Sequence, residues 1–408
     1  MFNYQQAVQD TYWIGANDRR LALFENLFPL PKGVSYNSYA VIDEKIVLFD
    51  TADASVGDQY LENLEAVLGG RTPDYLVILH MEPDHCAMLR SVISRYPDIT
   101  LAGSAKAFAL LGQFFPSLAE QKKLILKEGD TLCSGAHTFR FITAPMVHWP
   151  EVLFAYDETT GALFSADAFG TFGTIEGNIF TDVEIFLDNY IDETRRYYAN
   201  IVGKYGQQVQ AVMKKAAGLD VKAILPLHGP LWHIGEHSNI ILDLYQRWST
   251  YTPETDDVLV VYGSLYGHTA SAAEAFAAFV EEKTDLNVRV FDVSKTDVSY
   301  LIAEVWRCAR IVLFCPTYNN GIYPPMKNFL DDMEALGVQN RTFALAENGS
   351  WAPVSGKLMR EKLSGLKNCT IIEDTFSFKS ALHASDLERL SAFADVALEG
   401  ADDTIDLF

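Results

Sequence analysis

Leu76-Val77-Ile78-Leu79-His80-Met81-Glu82-Pro83-Asp84-His85 is an apolar run that breaks off into a loop crowded with metal-ligand side chains. Residues 75–80 have the length and apolar character of a buried strand. Of the six residues from His80 to His85, four are imidazoles or carboxylates. At the end of a buried strand they are costly to desolvate unless exposed, paired or bound to a metal. The arrangement recurs downstream. Strand-like residues 139–143 lead through Ala144-Pro145-Met146-Val147 to His148, residues 163–166 are followed by Asp167, and residues 223–227 by His228. Taken singly, His148, Asp167 and His228 read as readily as satisfied structural residues. Together with the six-residue cluster, strand ends converging on one edge of a sheet sandwich make a binuclear metal site. His137, His233, His237 and His383 read as surface or structural residues.

Further strand-like runs lie at 45–50 and 152–156. Helical stretches at 59–68, 104–114, 192–203 and 209–219 interrupt them, which predicts a layered α/β domain over residues 1–250. Residues 251–257, Tyr-Thr-Pro-Glu-Thr-Asp-Asp, are polar and contain proline, and they read as a linker. Beyond it the pattern is regular. Apolar strands at 258–262, 288–293, 311–315, 342–346 and 370–375 alternate with helices that include 270–283, 298–308 and 326–336. Strands apolar on both faces are those of a parallel sheet covered by helices, so residues 258–408 are expected to form a doubly wound parallel five-stranded sheet.

Three loops follow strand ends of this second domain. Gly263-Ser264-Leu265-Tyr266-Gly267-His268-Thr269 joins a strand to a helix, where hydroxyls and backbone N–H groups offer an anion site. It contains neither Gly-x-x-x-x-Gly-Lys-Ser/Thr nor Gly-x-Gly-x-x-Gly, which excludes an NTPase P-loop and a dinucleotide fingerprint. The other loops are Pro316-Thr317-Tyr318-Asn319-Asn320-Gly321 and Glu347-Asn348-Gly349-Ser350-Trp351-Ala352. Flat aromatics beside small and amide residues suit an isoalloxazine ring.

A chain of 408 residues is long enough for two or three domains. Its formal charge of −22 argues against nucleic acid and anionic membrane as partners. No apolar run approaches the roughly 20 residues that span a bilayer. Nor does the N-terminus show a basic region followed by an apolar one, so a cytoplasmic protein is expected. The five cysteines, Cys86, Cys133, Cys308, Cys315 and Cys369, include no Cys-x-x-Cys pair. A disulfide framework, a zinc ribbon and a rubredoxin-type iron site are thereby disfavoured, and any electron donor is a separate molecule.

The run from His80 to His85 resembles the metallo-β-lactamase motif His-x-His-x-Asp-His, with Glu82 replacing the second His. That replacement marks the flavodiiron branch, whose order of ligands matches over most of this chain. The resemblance implies an N-terminal αββα metallo-β-lactamase-like sandwich followed by a flavodoxin-like domain. It implies a non-haem diiron site as well. One iron would take His80, Glu82 and His148, the other Asp84, His85 and His228, with Asp167 bridging. Four imidazoles and three carboxylates suit iron better than a thiolate-rich set would, although zinc also accepts them.

The first loop of the second domain resembles the flavodoxin phosphate loop, which binds the FMN phosphate without a lysine. FMN contacts would then come from Ser264, Leu265, Tyr266, Gly267, His268 and Thr269, from residues 316–321, and from Asn348, Gly349, Ser350 and Trp351. His268 departs from the Asn frequent in the family. The implied activity is reduction of O2 to water, of NO to N2O, or both, with electrons passed through FMN from an external donor. Rubredoxin, another flavoprotein and reduced coenzyme F420 all fit that role. Family members form head-to-tail homodimers, and a dimer or dimer of dimers is expected here. Trp149, Tyr197 and Tyr198 are candidates to surround the metal ligands. A binuclear zinc hydrolase fused to a flavodoxin, and an electron carrier with a metal-free first domain, are the competing readings; Glu82 argues against one and the complete ligand set against the other.

Overall fold

Val47–Phe49, Tyr75–Ile78 and Thr100–Gly103 are short apolar strands that pair in parallel, in register, at the centre of a seven-stranded sheet. Every residue of these strands except the partly exposed Tyr75 is buried, so both faces are covered. Antiparallel strands Gln5–Val8, Thr11–Trp13 and Tyr39–Val41 extend one side, and Lys123–Ile125 closes the other. A second seven-stranded sheet runs in the order Thr131–Cys133, Thr138–Thr143, Leu153–Asp157, Ala162–Phe164, Ala223–Leu225, Leu231–His233 and Phe180–Thr181. Phe49 of the first sheet stacks on Phe164 of the second, with ring centroids 4.0 Å apart, and meets Phe139 edge-on at 5.2 Å. These aromatic contacts form the core between the sheets. Helices Gly57–Leu68 and Ala105–Phe114 accompany the first sheet, and Gly206–Ala216 lies against Thr138–Thr143 of the second. The arrangement is the αββα sandwich expected from the sequence.

This computed structural model describes residues 3–235 and 239–401; His237 lies outside them. The chain divides into two compact units, Met1–Tyr198 with Tyr205–Tyr245, and Ala199–Lys204 with Gln246–Phe408. In the second unit five parallel strands take the order Val288–Asp292, Thr255–Tyr262, Cys308–Tyr318, Thr342–Asn348, Thr370–Phe378. That is the flavodoxin-like 2-1-3-4-5 order, with its switch point between the strands Thr255–Tyr262 and Cys308–Tyr318. Phe276 packs among Phe314 and Phe393, with centroids 5.6 and 5.5 Å away, and seals helix His268–Lys283 to the sheet.

Two local expectations change. The stretch 251–257 is not all linker, because the strand begins at Thr255. Asp256 and Asp257 are buried there. Arg310 lies 3.4 Å from Asp256 and Arg307 lies 2.9 Å from Asp257, partners about fifty residues away that a local reading does not see. The helix expected over 192–203 is regular only over Ile191–Tyr197; Tyr198–Val202 widens into a π turn and Gly203–Tyr205 tightens into a 3₁₀ turn. Among the described residues, no helix is long and apolar enough to cross a membrane.

His137 is a buried structural histidine. Its Nδ1 lies 2.8 Å from the equally buried Asp157 carboxylate. Burial opposes charge on His137, but Asp157 and Asp10 overcome it and raise its pKa above the ordinary value. A raised folded-state value means that the stabilisation is complete below the unfolded pKa of about 6.5 and is lost as pH climbs through the folded value. Replacing His137 by Leu is therefore expected to cost about 3 kcal/mol at pH 6, the scale of breaking a buried pair. The deficit relative to the native chain should shrink by pH 9. Denaturant unfolding at both pH values checks this, and an equal deficit at each would mean that His137 is neutral in the fold.

Candidate metal centre and flavin pocket

His80 emerges two residues beyond the strand Tyr75–Ile78. Asp50 pins this loop, because its Oδ1 accepts hydrogen bonds from the backbone N–H groups of Leu79 (2.9 Å) and His80 (3.2 Å). Glu82 then caps the single helical turn Pro83–Cys86, whose Pro83 holds φ for the helix and whose first turn presents Asp84 and His85. Loops after Thr138–Thr143, Ala162–Phe164 and Ala223–Leu225 bring in His148, Asp167 and His228. Ala166, just before Asp167, sits at φ +49°, a left-handed conformation uncommon for a residue with a Cβ.

The seven side chains gather into two adjoining groups. His80, Glu82, His148 and Asp167 form one; Asp84, His85 and His228 form the other; within each group the ligand-type atoms lie within 4.8 Å of one another. In the first group, Glu82 Oε2 is 3.1 Å from His80 Nε2 and 3.0 Å from His148 Nε2. In the second, Asp84 Oδ2 is 3.4 Å from His85 Nε2 and 3.2 Å from His228 Nε2. Asp167 faces both. Its Oδ2 lies 3.1 Å from His148 Nε2, and its Oδ1 lies 3.0 Å from His85 Nε2 and 3.9 Å from His228 Nε2.

Both carboxylate oxygens of Asp84, both ring nitrogens of His85, Asp167 Oδ1 and His228 Nε2 are buried with no hydrogen-bond partner. Buried polar atoms are ordinarily satisfied. A convergent set left unsatisfied, made of oxygens and imidazole nitrogens, fits cations. The electrostatics agree. Burial alone would raise the Asp167 carboxyl, yet His85 and His80 around it hold it well below the usual carboxylate range. Burial likewise opposes charge on His85 and His148, and neighbouring carboxylates push both up to about 9. The carboxylates demand positive charge, which protons supply unless a metal does.

Two of the imidazoles are oriented from behind. His80 Nδ1 lies 2.8 Å from Glu151 Oε1, and His228 Nδ1 donates to the Ser35 carbonyl at 2.8 Å. With each Nδ1 engaged, Nε2 is the nitrogen that faces the cluster. Burial disfavours a charged Glu151, but His80 holds its carboxyl below the usual range. Trp149 stands edge-on to His80, with centroids 5.3 Å apart, and Tyr197 lies 5.7 Å from His228 with a buried, unpartnered hydroxyl. Tyr198 is buried too, and its ring meets Tyr245 rather than a ligand.

Sequence reasoning did not single out Glu151, Asp50 or Glu25. Glu25 sits at the turn of the hairpin formed by strands Leu23–Phe24 and Phe28–Pro29, within hydrogen-bonding reach of Glu82. Desolvation first, and then Glu82, pushes its carboxyl up to about 8. No local pattern marks these three acids. Glu151 lies three residues beyond His148, but that spacing carries meaning only once the backbone has turned.

In the second unit a cavity of about 510 Å³ opens at the switch-point end of the sheet. Its walls are the three loops singled out in the sequence, together with Ala352 and Ser380; of the residues expected there, only Gly267 and Gly321 are absent from the lining. Gly267 instead shapes the turn, at φ +94°, and its N–H bonds back to Ser264 Oγ at 3.1 Å. Helix His268–Lys283 starts at once, so its free N–H groups end at the cavity. Thr317 faces inward to accept from the N–H groups of Val354 and Ser355, which ties the second loop to the third. Tyr266 and Trp351 stand 91% and 86% exposed beside the opening, unpacked aromatic faces such as a flat ring would cover. A phosphate at the helix start and a ring between aromatics match the parts of FMN.

An αββα sandwich with two metal-capable clusters, followed by a flavodoxin-like unit with an FMN-shaped cavity, defines a two-domain oxidoreductase. Residues 34–229 match the family of ODP beta lactamases, and residues 260–373 match flavodoxin. An anaerobic nitric oxide reductase flavorubredoxin of Escherichia coli is 29% identical over 347 residues, covering 84% of this chain and 71% of its own length. A Methanocaldococcus jannaschii protein is 26% identical over 94% of this chain and 95% of its own. Among solved structures, rubredoxin oxygen:oxidoreductase from Desulfovibrio gigas superimposes with a TM-score of 0.90 at 25% identity, covering 97% of this chain and 98% of its own. The flavodiiron protein of Giardia intestinalis shares the fold with a TM-score of 0.90, at 23% identity and 98% coverage of both chains. The chain belongs to the flavodiiron proteins.

Proposed function

We propose that this chain reduces O2 to water, NO to N2O, or both, at two iron ions, with electrons that reach them through FMN from an external donor. The observation that carries this reading is Asp167, whose two carboxylate oxygens address one cluster each. His80, Glu82 and His148 would hold one iron, Asp84, His85 and His228 the other, with Asp167 between them. FMN in the cavity of the second unit would be held by the loops 264–269, 316–321 and 348–351.

When bound, the flavin accepts electrons in pairs and releases them singly, and the irons deliver them to a small gaseous substrate. The protein's part is positional and electrostatic. Asp50 fixes the loop of His80, Glu151 and Ser35 fix the imidazole faces, and the buried carboxylates set the charge that the metals meet. The seven ligands present no feature that separates O2 from NO, so both belong to the proposal. With no Cys-x-x-Cys pair the chain supplies no rubredoxin-type centre of its own. A rubredoxin, another flavoprotein or reduced coenzyme F420 would serve as donor. Names of the relatives above include both a nitric oxide reductase and an oxygen oxidoreductase, which supports the pair of substrates. A head-to-tail homodimer, placing one subunit's flavin beside the other's irons, completes the electron path in this reading.

Protein purified without oxygen is expected to carry two irons and one FMN per chain, measured by metal analysis and flavin release. Zinc with little iron, after expression with both metals in supply, would replace this reading with that of a zinc hydrolase.

A further inference from the structure

Asn348 closes the strand Thr342–Asn348 and lines the flavin cavity. It is 7% exposed. Its Nδ2 lies 3.0 Å from the Ser380 carbonyl and 3.2 Å from Thr269 Oγ1. A carbonyl can only accept, so the atom facing Ser380 must be the amide nitrogen, and this settles the orientation of the whole side chain. The same nitrogen then donates to Thr269. Its Oδ1 is buried and finds no partner.

The consequence falls on Thr269. A hydroxyl carries one proton, and an oxygen that accepts from Asn348 must direct that proton elsewhere. Thr269 is 3% exposed, occupies the second position of helix His268–Lys283 and lines the same cavity. A threonine there could turn its proton back to the preceding turn. The Asn348 contact biases it outward, toward the space where the helix N–H groups also end. A buried hydroxyl, proton outward, at a helix N-terminus is built for an anion.

We infer that Asn348 is a positioning residue that aims the Thr269 hydroxyl at the flavin phosphate and so makes the pocket prefer FMN over riboflavin. The inference rests on FMN occupying this cavity, as proposed above. Asn348 reaches the phosphate through Thr269, from a different strand and a different loop.

The test uses the full-length, metal-loaded protein stripped of flavin, titrated with FMN and with riboflavin by quenching of flavin fluorescence. Native protein should bind FMN more tightly. Asn348→Ala and Thr269→Val should each lower the FMN-over-riboflavin preference by about tenfold or more, the scale of a hydrogen bond to a charged group. The double variant should lose little beyond Thr269→Val alone, since one group acts through the other. Asn348→Asp keeps the shape but can only accept, so it should draw the Thr269 proton to itself and lose the preference even if the alanine variant folds poorly. An unchanged preference in Asn348→Asp, or an equal loss for FMN and riboflavin in every variant, would overturn the inference and leave Asn348 a packing residue. Native protein that binds neither flavin would overturn the FMN reading itself.

Discussion

Replacing Asp167 by Ala is expected to abolish gas reduction while the flavin remains fully reducible. Among the described residues, the carboxylate is the one side chain whose two oxygens face different clusters, 3.1 Å from His148 on one side and 3.0 Å from His85 on the other. Without it, two imidazoles and one carboxylate, Glu82 or Asp84, still line each half, but nothing ties the two positions together and one buried negative charge is gone. Turnover should fall by far more than the roughly 10–100-fold that losing an outer hydrogen-bond partner costs. Anaerobic assays of O2 and NO consumption read the loss, and dithionite titration of the flavin absorbance shows whether the second unit is intact. Loss of flavin reduction as well would mean that the variant is misfolded. Undiminished turnover would mean that Asp167 does not bridge.

Glu151→Leu should have the next largest effect, on metal retention. Glu151 Oε1 lies 2.8 Å from His80 Nδ1 and accepts the Met81 N–H at 2.9 Å, so one oxygen sets both the ring and its backbone. A leucine removes the acceptor, and His80 loses the contact that keeps Nε2 toward Glu82. Iron affinity is expected to drop by about 10–100-fold, with Glu151→Gln in between because its carbonyl can still accept from the ring. Competition with a chelator, followed by iron analysis at each concentration, measures it. Matching losses for Leu and Gln would point to the charge of Glu151 rather than its hydrogen bond.

Much of the candidate metal centre is legible because its ligand-type residues follow strands. A strand must be apolar to be buried, so a His or Asp at its end stands out against the run, as His80 does after Leu76–Leu79. The loops proposed to hold flavin are legible for the same reason, each beginning where an apolar strand stops. Glu25, Asp50 and Glu151 are different. Each is an ordinary acid in its own neighbourhood, and each gains meaning from a partner 57, 30 or 71 residues away, namely Glu82, His80 and His80 again. The linker reading of 255–257 failed likewise, since Asp256 and Asp257 lie buried in a strand where Arg310 and Arg307, about fifty residues on, pair with them.

The order of the two folds, the parallel sheet of the second, seven residues of metal-ligand type and the three loops proposed to hold flavin can be read along the chain. All of these are written in local composition, in which polar residues interrupt apolar runs at fixed places. The family resemblance implies how the seven residues divide, but folding is what sets Asp167 3.1 Å from His148 and 3.0 Å from His85 and brings Asn348 to Thr269 across two loops. Those are distances between points far apart along the chain, and they exist only after burial of the apolar faces has brought the strand ends together.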